Sequence, residues 1–294
     1  MKQQLNNNET TKEELLIKNE VSFKELFNIF LTAKKALGIQ DKTIESYSAH
    51  LKAVAHHIDI EKCISNLKKS DFEKMIVSMR NSGLSPQSIK SYLITMRAFL
   101  NWSRREGYSD IAIGQYKCPE TIKDPYTDEE LKKLLQKPNM KTCSFREYRN
   151  WVIVNFLLDT GCRAATLRSI QIRDLDLEHG ICSYRHTKNK KVQTIPLSTK
   201  MISILKEYLM FRKGFSEDVL FCTAYGDPLS EAYLRRTIAS YNKSRGVDKT
   251  SIHLFRHTFA KKFLLDCNGN ALILQKLLGH STLDMTSLLL RRQL

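Results

Sequence analysis

The sequence predicts a mainly α-helical protein with a small β-sheet, arranged in two domains. Three observations carry this expectation. Apolar residues recur at steps of three and four over most of the chain. One stretch, ICSYRHTKNKKVQTIPLS, reads instead as two short strands about a polar turn, Thr187–Lys191. A third, GYSDIAIGQYKCPETIKDPY (Gly107–Tyr126), mixes Gly, Pro and polar residues as linkers do. At 294 residues the chain has room for two ordinary domains, and its 42% hydrophobic and 27% charged residues suit buried cores.

Residues 1–20 are polar and rich in Asn, Glu and Lys, as expected of a flexible N-terminal arm. Residues 21–106 form the first domain, with four helices. FKELFNIFLTAKKAL and DKTIESYSAHLKAVAHHI carry the helical period, the second with Asp41 placed to cap it. SDFEKMIVSMRNSG opens at a Ser70 or Asp71 cap and stops near Gly83. SPQSIKSYLITMRAFLNWSRREG opens with Ser85 before Pro86 at the first helical position. Its apolar residues Ile89, Tyr92, Leu93, Met96, Phe99 and Leu100 share one face. Lys90, Arg97 and Arg104 recur every seven residues beside that face, and by themselves are as well read as a solvated surface.

After a linker over 107–123, the second domain spans 124–294. TDEELKKLL opens on a capping box, Thr127 with Glu130. FREYRNWVIVNFLLDTG is a buried helix ending at Gly161. The hairpin comes next, and then KMISILKEYLMFRKG, stopping at Gly214. SEAYLRRTIASYNKSRG, HLFRHTFAKKFLLDC and NALILQKLLG are further helices.

Lys and Arg number 47 against 31 Asp and Glu, a formal charge of +16, which favours a polyanionic partner, nucleic acid first. No apolar run reaches the roughly 18–20 residues of a membrane span, and the first twenty residues lack the apolar core of a secretory signal. Seven scattered cysteines without a CxxC pair argue against a zinc ribbon or disulfide framework and for reduced thiols in the cytoplasm.

Four stretches could carry chemistry. In LLDTGCRAATLRSI, Arg163 follows a helix break and has a planar fork free to grip a phosphate; a surface arginine is the plain alternative. In RHTKNKKVQTIPL, Lys188, Lys190 and Lys191 occupy the turn, where basic residues are common. In HLFRHTFA, His253 and Arg256 stand three apart on one helical face, an anion site in outline, with His257 placed off that face as a packing residue. In LLGHS, Gly279 ends a helix, His280 lies at the break, and Ser281 can cap the next helix.

Together and in this order the four stretches resemble the successive boxes of the tyrosine recombinases, or phage-type integrases, and the resemblance covers nearly the whole chain. It implies an N-terminal core-binding (SAM-like) helical bundle, clamping one side of duplex DNA, ahead of a tyrosine-recombinase catalytic domain. It implies DNA cleavage and rejoining through a 3′-phosphotyrosine, with no metal or nucleotide cofactor. Charge developing on the phosphorane must then be met by fixed donors. By resemblance, Arg163 and Arg256 clamp the non-bridging oxygens and His280 donates to the same phosphate. His253 carries a proton or donates, and Lys188 protonates the departing 5′-oxygen. Lys90, Arg97, Arg104 and Lys190 are then DNA contacts. The partners implied are double-stranded DNA, a homo-oligomer on paired sites and an accessory DNA-bending or directionality protein.

Two positions depart from the family pattern. Thr166 stands where an acid often follows the first arginine by three residues, which loosens the support of Arg163. The nucleophilic tyrosine normally lies nine residues beyond the LGH histidine; counting from His280 gives Leu289, and no tyrosine follows Tyr241. Leucine cannot attack phosphorus, and the hydroxyls of Thr286 and Ser287 are short, alkyl and differently angled. The catalytic domain therefore reads as shortened at its C-terminus. Three accounts stay open: a frame-shifted or decaying mobile-element copy, a DNA-binding paralogue or regulator that does not cut, and a deliberate replacement.

Overall fold

The structure, a computed structural model, describes residues 20–119, 124–185, 192–212, 218–266 and 270–279. Lys188, Lys190, His280, Leu289 and the N-terminal arm lie outside these. The chain divides into two compact units, Met1–Thr121 and Ile122–Leu294. The described residues are mostly helical with one small sheet, as the periodicity predicts.

The first unit holds α1 (Phe23–Ala36), α2 (Asp41–Val54), α3 (Lys69–Asn81) and α4 (Pro86–Arg105). Each helix turns an apolar stripe inward. Phe99 of α4 stands among Phe23, Phe27 and Phe30 of α1, with ring centroids 5.0, 5.0 and 5.7 Å away. Burying a side chain of that size stabilises by about 1.5–3 kcal/mol, so this aromatic knot is a main source of the unit's stability. Ser22 and Glu25 cap α1 reciprocally, the Ser22 amide donating to the Glu25 carboxylate at 3.0 Å and the Glu25 amide to Ser22 Oγ at 3.2 Å. Ser85 caps α4, with Pro86 first in the helix.

Two caps differ from expectation. Gln40, without a side-chain cap, precedes α2, and Asp41 is its first residue, where its charge still suits the helix dipole. Helix α3 starts at Lys69, before Ser70. Asp71 acts from the third position, accepting from the Lys68 amide at 2.8 Å.

The second unit holds α5 (Asp128–Leu135), α6 (Phe145–Thr160), α7 (Ala164–Ser169), α8 (Thr199–Phe211), α9 (Glu231–Ser244), α10 (Ile252–Asp266) and α11 (Ala271–Leu278). Helix α6 is its centre: Val152, Ile153, Val154, Phe156 and Leu157 are wholly buried. α5, α8, α9 and α10 all pack on it. Helix α8 ends at Phe211 with Arg212 as its cap, and the expected stop at Gly214 lies outside the described residues.

The hairpin is present as β2 (Ile181–Tyr184) and β3 (Gln193–Pro196), antiparallel in the register Cys182↔Ile195. A third strand, β1 (Leu175–Asp176), pairs with β2 on its other side. The six described cysteines are free. No helix among the described residues is long and apolar enough to cross a membrane.

Candidate active site

Helix α6 ends where Gly161 adopts the left-handed conformation, φ +61°. Glycine is required twice over, because a Cβ there would stand 2.3 Å from Phe259 Cδ1 on α10. Close approach of α6 to α10 is thereby fixed. Two residues on, Arg163 becomes the N-cap of α7. The break that the sequence shows as TGCR thus brings the first arginine beside α10.

Arg256 lies on α10 and is 7% exposed. Its Nη1 donates to the Gly161 carbonyl at 2.9 Å and its Nη2 to the Leu278 carbonyl at 2.8 Å. Arg163, half-buried, approaches the same end of α11: Nη1 donates to the Leu278 carbonyl and Nη2 to the Gly279 carbonyl, both at 3.4 Å. The two guanidinium groups therefore meet at one carbonyl oxygen. Burial and then the Arg163 charge push Arg256 down to about 10, so it remains charged at neutral pH. Burial also lowers Arg163. No ion pair joins Arg163 to a carboxylate among the described residues, so it keeps a net positive charge facing the cluster.

His253 lies one turn before Arg256 on α10 and reaches solvent. Desolvation, then the charges of His257, Arg256 and Arg163, hold its imidazole below the ordinary value. His257 is no bystander: its ring meets that of His253 edge to face, centroids 5.5 Å apart. The i, i+4 spacing, visible in the sequence, already puts both on one face, which corrects the expectation that His257 lies off it. Beside His253 opens a depression of about 710 Å³ lined by Ala164, Arg235, Arg236, Ala239, Thr250, Ser251 and Ile252. Arg235 pairs with Glu231 at 2.8 Å, and the rim is basic.

Gln193, unremarked in the sequence, completes the frame. From the first position of β3 its Nε2 donates to the Lys276 and Leu277 carbonyls at 2.7 and 2.8 Å. Gly279 has φ +60°, and a Cβ on it would stand 2.8 Å from Gln193 Oε1. Three side chains from α7, α10 and β3 thus collect the carbonyls at the end of α11, just before His280 in the chain. Thr166, three residues after Arg163, is buried on α7. Tyr184 is close enough to Arg256 for its charge to matter, but it is 4% exposed and burial pushes its phenol well up.

In the first unit, Lys90 and Arg97 are half-buried along α4 and Arg104 is exposed, its Nη2 donating to Asn101 Oδ1 at 3.2 Å. Among the described residues none of the three is paired with a carboxylate.

The chain is 28% identical over 263 residues to the tyrosine recombinase XerD of Staphylococcus haemolyticus, covering 85% of this chain and 88% of that protein. It is 27% identical over 277 residues to the tyrosine recombinase XerA of Saccharolobus solfataricus, covering 90% and 87%. Its fold matches that of a lambda integrase dimer bound to a COC′ core site, TM-score 0.76 at 17% identity, over 95% of this chain and 80% of that one. The Tn1549 transposon integrase in complex with transposon right end DNA gives 0.75 at 20% identity, over 92% and 94%. Residues 26–107 match the phage integrase N-terminal SAM-like domain and residues 126–291 the phage integrase family, so the chain belongs to that family, the tyrosine recombinases.

Proposed function

We propose that the protein is a site-specific recombinase of the tyrosine type in its DNA-gripping parts, binding duplex DNA and holding one phosphodiester between Arg163 and Arg256. The observation that carries this reading is the meeting of both guanidinium groups at the Leu278 carbonyl. They differ in how firmly they are held. Arg256 is buried with short bonds and is the fixed member. Arg163 makes two long bonds at 3.4 Å and is the member that a phosphate oxygen can win from the carbonyls. Charge-assisted bonds to phosphate are stronger than those to neutral carbonyls, so the exchange favours the ligand. His253, neutral at pH 7, is placed to pass or donate a proton. By family resemblance Lys188 serves as proton donor to the 5′-oxygen and His280 as a further phosphate donor. Lys190, Lys90, Arg97 and Arg104 contact the backbone.

The division into arm (1–20), core-binding domain (21–106), linker (107–123) and catalytic domain (124–294) belongs to the same reading. So do a homo-oligomer on paired sites, an accessory DNA-bending or directionality protein, and a cytoplasmic location. The solved relatives include a lambda integrase tetramer bound to a Holliday junction, which supports the oligomer.

The 294-residue chain holds DNA without forming a phosphotyrosine bond, because Leu289 stands at the nucleophile position. Tyr184, the tyrosine whose charge bears on Arg256, is buried, and burial holds its phenol protonated. A nicked suicide duplex that traps cleaved strands tests this. We expect retention of the duplex with no covalent protein–DNA band, and a band from Leu289→Tyr. A covalent adduct from the unaltered chain would sink the non-cutting reading.

A further inference from the structure

Helix α4 is unlike the rest of its unit. It carries Lys90, Arg97, Arg104 and Arg105 and no Asp or Glu. Residues 1–121 hold 18 basic and 14 acidic side chains, so the cations of this one helix account for the whole excess. A solvated helix face ordinarily mixes the two signs. An all-cationic helix in an otherwise balanced unit is built for an anion.

The arrangement is finer than a patch. Lys90, Ile94, Arg97, Asn101 and Arg104 succeed one another at steps of four, three, four and three. On a helix that spacing keeps all five within an arc of about 80° and strings them over about 21 Å. The adjoining face is core: Ile89, Leu93, Met96, Phe99 and Leu100 are buried. Within the stripe, Ile94 is 54% exposed. A β-branched apolar side chain between two cations gains nothing from water. Asn101 is exposed, and its side-chain Oδ1 is held by Arg104 Nη2 at 3.2 Å. Its amide is thus oriented before any ligand arrives.

We propose that Ile94 and Asn101 are sequence-reading residues, set between cations that hold the phosphates of the same duplex. This rests on the reading that the stripe faces DNA. Long cations reach outward to the backbone. Ile94 and Asn101 are too short to do so, and meet the surface on which the helix lies. In a major groove that is the base edges: an apolar side chain contacts the thymine methyl, and an asparagine amide matches the N6/N7 pair of adenine. The cations supply affinity without sequence information, and the two short side chains supply discrimination. An acidic protein surface would satisfy the cations but give Asn101 and Ile94 no shared purpose. The unit's match to the phage integrase N-terminal SAM-like domain favours the duplex.

Selection from a pool of randomised duplexes tests the proposal, using the full chain, Ile94→Ala, Asn101→Ala and the triple change Lys90→Ala/Arg97→Ala/Arg104→Ala. All altered positions are exposed or half-buried, and circular dichroism checks that each variant is folded. The unaltered chain should enrich a defined motif. Ile94→Ala and Asn101→Ala should each lose preference at one or two base pairs, by roughly five- to a hundredfold, with affinity for scrambled duplex unchanged. The triple variant should bind every sequence more weakly. If both single variants enrich the same motif as strongly as the unaltered chain, the assignment of Ile94 and Asn101 is overturned while the clamp stands. If the triple variant binds all duplexes as tightly as the unaltered chain, or if no duplex is retained at all, the underlying DNA-facing reading fails with it.

Discussion

Arg163 and Arg256 share a carbonyl oxygen, yet one is half-buried with 3.4 Å bonds and the other buried with bonds under 3 Å. The difference traces to Gly161. Its left-handed turn brings Phe259 against the backbone and leaves its carbonyl pointing at Arg256. Gly161→Ala forces both a disfavoured backbone and a clash with Phe259. We expect a loss of roughly 2–4 kcal/mol in denaturant unfolding of the second unit. Gly83→Ala, at φ +79° with open space around it, should cost only about 1 kcal/mol, the backbone part alone. Equal losses at the two positions would remove the packing argument. His253 gives a second test. Its folded imidazole takes a proton below the unfolded value of 6.5, so the unfolded state binds that proton first as pH falls. Its effect on stability is therefore nil above pH 6.5, and stability is lost as pH drops below it. A phosphodiester at the arginines reverses the local field, so the NMR titration of His253 should move upward on adding duplex. An unmoved midpoint would place the phosphate elsewhere.

At the scale of elements, the end of α11 shows what the sequence makes legible and what it hides. The helix, its Asn270 cap and its Gly279 stop follow from local chemistry, and so do the Ser85–Pro86 start of α4 and the Thr127–Glu130 box of α5. A cap is harder to place where several capping residues crowd together, as at Ser70 and Asp71. The β2–β3 hairpin announces itself by alternation, whereas β1 is two residues long and exists because Leu175 and Asp176 pair with Cys182 and Ile181. Long-range partners are hidden altogether. Arg149 is wholly buried because the Cys222 carbonyl and Thr237 Oγ1, 73 and 88 residues away, accept its donors. Gln193 is of the same kind: nothing near it in sequence marks it as the side chain that ties β3 to α11. Gln193→Ala removes two hydrogen bonds to carbonyls at a helix end. At about 1 kcal/mol, that should speed amide exchange of α11 about fivefold while leaving α6 protected. Unchanged exchange in α11 would show that the two arginines hold its end without help from β3.

At the scale of the whole molecule, the question is whether both units grip one duplex. The second unit has 29 basic against 17 acidic residues, a broader excess than the first, and its basic rim beside His253 includes Arg235 and Arg236. Removing one cation from a phosphate should flatten the dependence of log affinity on log salt by about 0.9. Substituting Lys90, Arg97 and Arg104 should lower the slope by roughly 3, substituting Arg235 and Arg236 by roughly 2, and substituting all five by the sum. Two units tied by a short segment raise each other's local concentration on the same duplex, so the affinity losses should multiply as well. Filter-binding isotherms between 50 and 200 mM salt, about the range where such contacts dominate, measure both quantities. If the α4 changes alone abolish the slope and the Arg235 and Arg236 changes then add nothing, one unit binds and the clamp is wrong. If the losses add, the basic rim around His253 carries the backbone toward Arg163 and Arg256 while α4 holds the same duplex.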